Sequence, residues 1–311
     1  MFTAILAGLL VSFVGIYVFV NYIKNVPIPE TVDHSLVEES EEDPTLVARL
    51  SDSIIYSADD DFEIRQRPDD YTPGESTKKI SAKSYVVMDL ETGKFILKKN
   101  EDKLLPIASI TKLITAVLAY ELLDQDEYVT ITQNVLRIYG NEAKFRLGEK
   151  LRVRELLLPL LMVSSNDSAE AIVSAYSLGR PRYIKEMNSW VNSIGAYKTY
   201  FRDPSGLSSQ NLSTAEDLAL ITKWIYDYYP KIFDITLQKT ETVRMHTWTS
   251  PTHFLNLTAY AGGKNGYTPE ANRTSVALFK IGKNQKAFAV IILGSSRRDS
   301  DILDLLDEAI R

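Results

Sequence analysis

Residues 104–123 read LLPIASITKLITAVLAYELL, a largely apolar run that contains Ser109 and Lys112. Its length and apolar character predict a buried helix, with Pro106 near the first turn, where helices tolerate proline. An ammonium group that is buried in such a helix without a partner costs roughly several kcal/mol. Ser109 and Lys112 are three residues apart, so both project from one face of the helix. A function of the Ser109–Lys112 pair would explain why a lysine is buried in this helix despite that cost.

Acid–base chemistry is one possible function of the pair. A neutral lysine next to a serine can take the hydroxyl proton, and burial or neighbouring cations lower the pKa of an amine far enough to make it a base near neutral pH. The spacing alone is weak support, because Ser76 and Lys79 show it too in a polar segment. The apolar surroundings of Ser109 and Lys112 distinguish the two pairs.

Two further elements carry polar groups of the same kind. Ser164 and Asn166 follow an apolar helical segment in the stretch SSND, and Lys264 and Gly266 lie in GGKNGYT at the predicted start of a strand. Both spacings also occur elsewhere in the chain by chance. The order and setting of the three elements therefore carry more information than any one of them.

The remaining pattern predicts an α+β fold. SYVVMDLETGKFILKKN predicts a β-hairpin, several apolar segments predict helices, and one of these opens with a capping-box pattern at Ser213 and Glu216. TSVALFKIG and KAFAVIILGSS predict closing strands before a last helix, DSDILDLLDEAIR. Helices framed by antiparallel strands predict a three-layer α/β/α arrangement, in which a helical cluster packs on a largely antiparallel sheet.

A serine and lysine on a buried helix, a Ser-x-Asn on the next helical segment and a Lys-x-Gly strand before the final hairpin form the set found in penicillin-recognising serine enzymes. In this respect the chain resembles the D-alanyl-D-alanine carboxypeptidase family of low-molecular-weight penicillin-binding proteins. The resemblance covers residues 81–311 and rests on PIASITKLITA, LLMVSSNDSAEAI, DPSGLSSQNLSTAEDLA and GGKNGYTPEANRTSVAL. It implies a β-lactamase/transpeptidase-like fold, peptidoglycan stem peptides ending in D-Ala-D-Ala as substrates, and β-lactams as inhibitors.

The resemblance also implies roles for particular residues. Ser109 would be the acylated nucleophile and Lys112 its base. Ser164 would pass a proton to the leaving amine, and Asn166 would hold both the lysine and the substrate amide. Lys264 would attract the terminal carboxylate of the substrate and help to keep the catalytic lysine neutral.

Other expected roles concern substrate binding. Gly266 would permit a close backbone approach, and the backbone amides of the nucleophile and of Tyr267 would form the oxyanion hole. Arg298 would bind the substrate carboxylate, with Arg297 as the alternative. Asn265 departs from the family pattern, in which Thr or Ser stands between the strand lysine and glycine, so substrate preference or rate is expected to differ.

Three alternatives remain open from the residues. A serine β-lactamase shares the three elements, but the region YFRDPSGLSSQ lacks the glutamate that class A enzymes use for deacylation. A D,D-endopeptidase would use the same catalytic set on peptidoglycan crosslinks. A catalytically inactive wall-binding domain is the third alternative, and Asn265 is its best support.

Composition excludes other classes of function. The 311 residues carry a net charge of −6, and residues 25–79 hold 15 acidic and 5 basic residues, so residues 80–311 are close to neutral and show no basic stripe for nucleic acid. The chain has no cysteine, and its three histidines, His34, His246 and His253, lack ligand spacing. We therefore expect no metal and no cofactor.

The amino-terminal part predicts a membrane attachment. Residues 2–23 contain no charged side chain and are long enough to cross a bilayer, and they lack the basic start and cleavage site of a secretory signal peptide. The predicted organisation is a transmembrane anchor at residues 1–24, an acidic tether at residues 25–79 and a peptidase domain at residues 80–311. Lys24 alone favours the opposite orientation, but a peptidoglycan substrate requires the domain to face outward from the cell membrane.

Overall fold

The computed structural model describes residues 72–311. The predicted anchor and most of the predicted tether lie outside these described residues. Among the helices of residues 72–311, none combines the length and the apolar character needed to cross a bilayer.

A five-stranded sheet lies at the centre of the fold. Its strands are β1 (Ser84–Asp89), β2 (Phe95–Lys99), β9 (Tyr260–Thr268), β10 (Asn272–Ile281) and β11 (Lys286–Ser295). They are antiparallel to their neighbours in the order β2-β1-β11-β10-β9, so β9 is an edge strand. Three short pairs join β3 (Leu105–Pro106) with β6 (Leu212–Ser213), β4 (Tyr128–Thr130) with β5 (Lys150–Arg152), and β7 (Thr240–Val243) with β8 (His246–Thr249).

Helices cover both faces of this sheet. They are α1 (Lys112–Leu122), α2 (Gln133–Leu136), α3 (Val153–Met162), α4 (Asn166–Ser174), α5 (Arg180–Ser193), α6 (Ala215–Tyr228), α7 (Pro230–Thr236) and α8 (Arg298–Ile310). Two 3-10 turns, Ala108–Thr111 and His253–Asn256, complete the described helices.

Alternating side chains divide the core into two layers. Val86 and Met88 of β1 join the core that contains α1, whereas Tyr85 and Val87 join the core that contains Leu305 of α8. Successive side chains of a strand point to opposite faces, so each strand contributes to both layers. The predicted α+β fold with a largely antiparallel sheet is confirmed.

The second half of the run that contains Ser109 forms the predicted buried helix, but Pro106 lies outside its first turn because Leu105–Pro106 pair with β6. Every residue of α1 from Lys112 to Ala119 is buried, and the Tyr183 hydroxyl of α5 donates to the Thr115 carbonyl at 2.8 Å. Ser109 itself lies in the 3-10 turn that leads into α1. The helix that carries the lysine is therefore enclosed by the helical layer.

The predicted capping box is displaced by one residue. Ser213 pairs with Leu105 in the short β3–β6 ladder, so its backbone is still extended. Thr214 is the N-cap of α6, and its hydroxyl accepts from the Asp217 amide at 3.1 Å. The prediction with Glu216 was wrong because adjacent hydroxyl residues offer two starts, and strand pairing selects the second.

The last residues of the predicted tether contact the domain. Gly74 accepts a backbone hydrogen bond from β2, and the Thr77 amide donates to Glu308 of α8 at 2.8 Å. The Lys78 ammonium lies 2.6 Å from Asp307 of α8. Among the described residues, contacts with the domain are therefore present from residue 74 onward, before residue 80.

Candidate active site

Ser109 and Lys112 are in direct contact. The lysine Nζ lies 3.0 Å from the serine Oγ, and the serine is half-buried as the second residue of the 3-10 turn. Ala108 immediately before it has φ +48°, in the left-handed region that a non-glycine residue adopts only under tertiary constraint. The nucleophile candidate thus follows a strained residue at the entrance to α1.

Two other groups hold the lysine amine. Lys112 is completely buried, and its Nζ donates to the Asn166 side-chain oxygen at 2.7 Å and to the Ser205 carbonyl at 2.6 Å. Both of these oxygens can only accept. A neutral amine has two N–H groups, and these two oxygens take both of them. Its lone pair is then directed at the hydroxyl of Ser109.

Burial also sets the charge of this amine. Loss of solvation lowers the pKa of Lys112 from 10.5 to about 7, and the carboxylates of Asp203 and Asp167 oppose that change. The neutral form is therefore well populated at neutral pH. The buried lysine in the apolar run has the protonation state that a general base requires.

The Ser205 carbonyl is positioned by a tight loop. The Asp203 carboxylate accepts from the amides of Ser205 and Gly206 at 2.7 Å each, and the Thr115 hydroxyl of α1 donates to the Pro204 carbonyl at 2.6 Å. Sequence reasoning assigned no role to Ser205. The Asp-Pro-Ser-Gly order is a turn signature, but it does not indicate what the turn contacts.

Two glycines enclose the backbone before the nucleophile. A Cβ at Gly206, which has φ +91°, would lie 2.0 Å from the Ala108 carbonyl oxygen. A Cβ at Gly266 would lie 2.8 Å from the Ser109 nitrogen. Glycine is required at both positions because the main chains touch there. Strand β9 therefore runs directly beside the amide that the resemblance places in an oxyanion hole.

Ser164 and Lys264 form a second contact. Ser164 lies between α3 and α4 with φ +59°, and its Oγ accepts from the Lys264 Nζ at 2.7 Å. The same Nζ donates to the Asn265 carbonyl at 2.9 Å. Burial lowers the pKa of Lys264 well below its usual range, and the positive charges of Lys112 and Arg298 add to that effect.

The structure therefore brings the predicted residues together in two adjoining groups. The first is Ser109, Lys112 and Asn166, and the second is Ser164 and Lys264. The two groups are connected in the chain because Ser164, in the loop before α4, is followed two residues later by Asn166, the first residue of α4. The hydroxyl of each serine lies within 3.0 Å of a lysine amine.

Tyr267 contributes by its position in the strand. It follows Gly266 in β9, and its side chain is 43% exposed beneath the guanidinium of Arg273, 5.8 Å from the ring centre. The ring is thus directed away from the lysine amines. Its predicted role in an oxyanion hole concerns the backbone amide alone.

The two arginine candidates differ in their surroundings. Arg298 is the first residue of α8, donates to Asp299 at 2.7 Å, and its charge acts on Lys264. Arg297 donates instead to the Lys79 carbonyl at 2.7 Å. The electrostatic contact with the strand lysine favours Arg298 for the carboxylate.

A loop before α3 supports Asn166. Its side-chain nitrogen donates to the Tyr139 carbonyl at 2.9 Å, and its backbone amide donates to the Gly140 carbonyl at 3.1 Å. A Cβ at Gly140, which has φ +80°, would lie 2.4 Å from the Asn166 nitrogen. Sequence reasoning missed this support, and the isolated glycine was its only signal.

The histidines of the domain contact carboxylates. His246 lies 2.7 Å from Glu149, and His253 lies 3.4 Å from Asp299. Among residues 72–311, no group of three or more histidine, aspartate or glutamate side chains is arranged to hold a metal ion. The serine and lysine groups are the chemically reactive set of the described site.

The sequence of the chain is similar to those of known proteins. Residues 71–296 match the peptidase S11 family, described as D-alanyl-D-alanine carboxypeptidase. The chain is 30% identical over 253 residues to the D-alanyl-D-alanine carboxypeptidase DacF of Bacillus subtilis, covering 76% of this chain and 64% of that protein. It is 32% identical over 234 residues to the D-alanyl-D-alanine endopeptidase of Escherichia coli, covering 70% and 73%.

Solved structures show the same fold. The structure is similar to penicillin-binding protein D2 from Listeria monocytogenes in its ampicillin-bound form, with a TM-score of 0.68, 26% identity, and coverage of 76% of this chain and 100% of that one. A D-alanyl-D-alanine carboxypeptidase from Mycobacterium tuberculosis H37Rv has a TM-score of 0.69 at 23% identity, covering 79% and 95%.

Proposed function

The chain belongs to the D-alanyl-D-alanine carboxypeptidase family of serine hydrolases, and we propose that it removes the terminal D-alanine from peptidoglycan stem peptides. The observation that carries the proposal is the environment of Lys112, whose buried amine contacts Ser109, Asn166 and Ser205. Placing a lysine there is costly unless its neutral form is used. A binding domain without catalysis would gain nothing from that arrangement.

The proposed acylation step combines these contacts with the roles that the family resemblance implies for Ser164 and for the oxyanion hole. The Ser109 Oγ attacks the carbonyl between the two D-alanines while its proton moves to the Lys112 Nζ. The amides of Ser109 and Tyr267 stabilise the negative charge that develops on the carbonyl oxygen. Ser164 donates its hydroxyl proton to the leaving D-alanine nitrogen, and the proton held by Lys112 replaces it. The products are free D-alanine and an ester on Ser109.

Hydrolysis of the ester completes the cycle. A water molecule attacks the ester carbonyl and gives its proton to Lys112, and the same oxyanion hole holds the second tetrahedral intermediate. Ser109 leaves with that proton, and the shortened peptide dissociates as a carboxylic acid. Lys112 is thus base and acid in turn, as a pKa of about 7 permits.

The region without a deacylating glutamate supports a peptidase over a β-lactamase. Asp203 is the acidic residue of that region, is 8% exposed, and accepts from the amides of Ser205, Gly206 and Ser208. Both carboxylate oxygens are occupied by backbone groups. Asp203 is therefore a structural anchor and not a base for deacylating water.

Crosslink cleavage is the second candidate activity. Relatives named D-alanyl-D-alanine endopeptidase, from Escherichia coli and Pseudomonas aeruginosa, match at 32% and 30% identity, as closely as the carboxypeptidase of Bacillus subtilis. The catalytic set is the same for both reactions. The two reactions differ in the size of the peptide that must reach Ser109.

One experiment tests the reaction and the nucleophile. Purified full chain is incubated with a pentapeptide ending in D-Ala-D-Ala and, separately, with a crosslinked dimer, and D-alanine release and dimer loss are measured. We expect D-alanine release that Ser109→Ala abolishes. Ser76→Ala is the matched control, because Ser76 and Lys79 share the spacing outside the site. Dimer cleavage without D-alanine release would establish the endopeptidase instead.

We also propose that residues 2–23 hold the protein in the cell membrane, with the peptidase domain on the outer side. The uncharged segment and the extracytoplasmic location of peptidoglycan support this arrangement. Protease added to intact cells whose wall has been opened is expected to digest the domain. A protected domain would refute the topology.

A further inference from the structure

The residue that departs from the family pattern has a specific partner. Asn265 of β9 and Ser275 of β10 are directly opposite each other in the antiparallel ladder. The Ser275 hydroxyl donates to the Asn265 side-chain oxygen at 2.8 Å. Ser275 is completely buried, and Asn265 is half-buried on the edge strand.

The pair lies on the side of the sheet that α8 covers. Residues Ala277 and Phe279, which share a strand face with Ser275, pack in the core beneath α8. The first residue of α8 is Arg298, the candidate for binding the carboxylate. Lys264 projects from the opposite face of β9 toward Ser164. Asn265 is therefore next to Lys264 in the edge strand, on the face of the sheet that α8 covers.

We propose that Ser275 is a positioning residue that holds the Asn265 amide with its N–H groups directed at the free carboxylate of the substrate. This inference rests on the proposed function and adds a positioning residue to the same site. Within residues 72–311, the side-chain nitrogen of Asn265 makes no hydrogen bond. It is available to the substrate.

The need for positioning follows from the chemistry of the amide. One end of a carboxamide donates and the other accepts, so a rotated Asn265 would present an oxygen to the carboxylate and repel it. The buried hydroxyl of Ser275 engages the oxygen end and would be left without a strong acceptor if Ala replaced Asn265. The threonine or serine usual in the family needs no such partner, because a hydroxyl rotates to donate in any direction.

Two penicillins that differ only at the carboxylate test the proposal on the full chain. The second-order rate constants for acylation of Ser109 are measured with benzylpenicillin and with its methyl ester, and their ratio reports carboxylate recognition. Ser275→Ala is expected to lower this ratio about fivefold, because a charge-assisted hydrogen bond loses its orientation. The rate constant for the ester is the internal reference, because it reports folding and the catalytic steps that do not involve the carboxylate.

A second background separates positioning from a merely structural role. In Asn265→Thr the bound hydroxyl needs no orientation, so adding Ser275→Ala is expected to leave the ratio at the value of that single variant. An unchanged ratio in Ser275→Ala, or an equal loss in both backgrounds, would overturn the inference. Failure of the wild type to release D-alanine would refute the carboxypeptidase while leaving this penicillin comparison interpretable.

Discussion

The pH dependence of acylation tests the central argument most directly. If neutral Lys112 is the base for Ser109, acylation by a penicillin must follow the titration of that lysine. With a pKa of about 7, the neutral fraction rises from about one tenth at pH 6 to about nine tenths at pH 8, so the contribution of this lysine to the rate rises about tenfold. With an ordinary pKa of 10.5, only about 3 in 10,000 molecules would be neutral at pH 7.

A rapid-mixing assay with a fluorescent penicillin measures this profile between about pH 5 and pH 10. Lys112→Arg removes the base, because a guanidinium stays protonated, and is expected to abolish acylation. Lys79→Arg is the matched control outside the site. Asp167→Asn removes a carboxylate that raises the pKa of Lys112, so its midpoint is expected to move to lower pH.

As pH rises, Lys264 is expected to change the acylation rate in the direction opposite to Lys112. Its ammonium must be charged to attract a carboxylate, so its titration lowers the acylation rate as pH rises, whereas deprotonation of Lys112 increases it. A penicillin methyl ester lacks the carboxylate and is expected to keep only the rising limb. In the profile of the methyl ester, a midpoint above about pH 9, or a flat profile from pH 5 to pH 8, would refute the assignment of buried Lys112 as the base.

Three further outcomes are expected. Gly206→Ala drives a methyl group to within 2.0 Å of a carbonyl oxygen and should lower penicillin acylation by at least about 100-fold. Gly148→Ala is the control, because Gly148 has φ +79° and a Cβ there would meet no atom within 4 Å. Equal losses in the two variants would disprove the role of the contact. Arg298→Ala should raise the KM for a D-Ala-D-Ala peptide about tenfold, whereas Arg297→Ala should not; the reverse result would exchange their roles. Glu308→Ala releases the segment at residues 76–78 and should cost about 1 kcal/mol in urea unfolding at pH 7. The pKa of Glu308 is lowered by these bonds, so the difference should shrink as the pH falls below the ordinary pKa of a glutamate and disappear once the pH is below the lowered pKa of Glu308. A difference that persists at still lower pH would contradict the explanation.

Local pattern was sufficient for much of the fold. The apolar run around Lys112 forms a buried helix, and the predicted hairpins correspond to β1–β2 and β10–β11. The predicted family is confirmed by the match over residues 71–296. Where patterns overlapped, the prediction failed, as at the start of α6, because strand pairing with a distant residue determines which of two hydroxyls becomes the cap.

Supporting residues of the site were beyond sequence reasoning. Ser205 acts through a backbone carbonyl, so its side chain gives no signal of its contact with Lys112. Ser275 is one of many serines in strands until its register with Asn265 is known. Gly140 contacts Asn166 in the folded chain, and no local sequence pattern indicates this contact. In each case the contact depends on how two separate segments pack or pair, and only folding brings the two together.

By itself, the sequence determined which chemical groups are present and in what order. Ser109 and Lys112 share a helix turn because of their spacing, and the apolar residues around them require burial. Only the tertiary structure decided what surrounds the amine: Asn166 and Ser205 come from segments 54 and 93 residues away to accept its N–H groups. The basicity of a lysine depends on the solvent and charges around it, so the enclosing fold makes this residue a base.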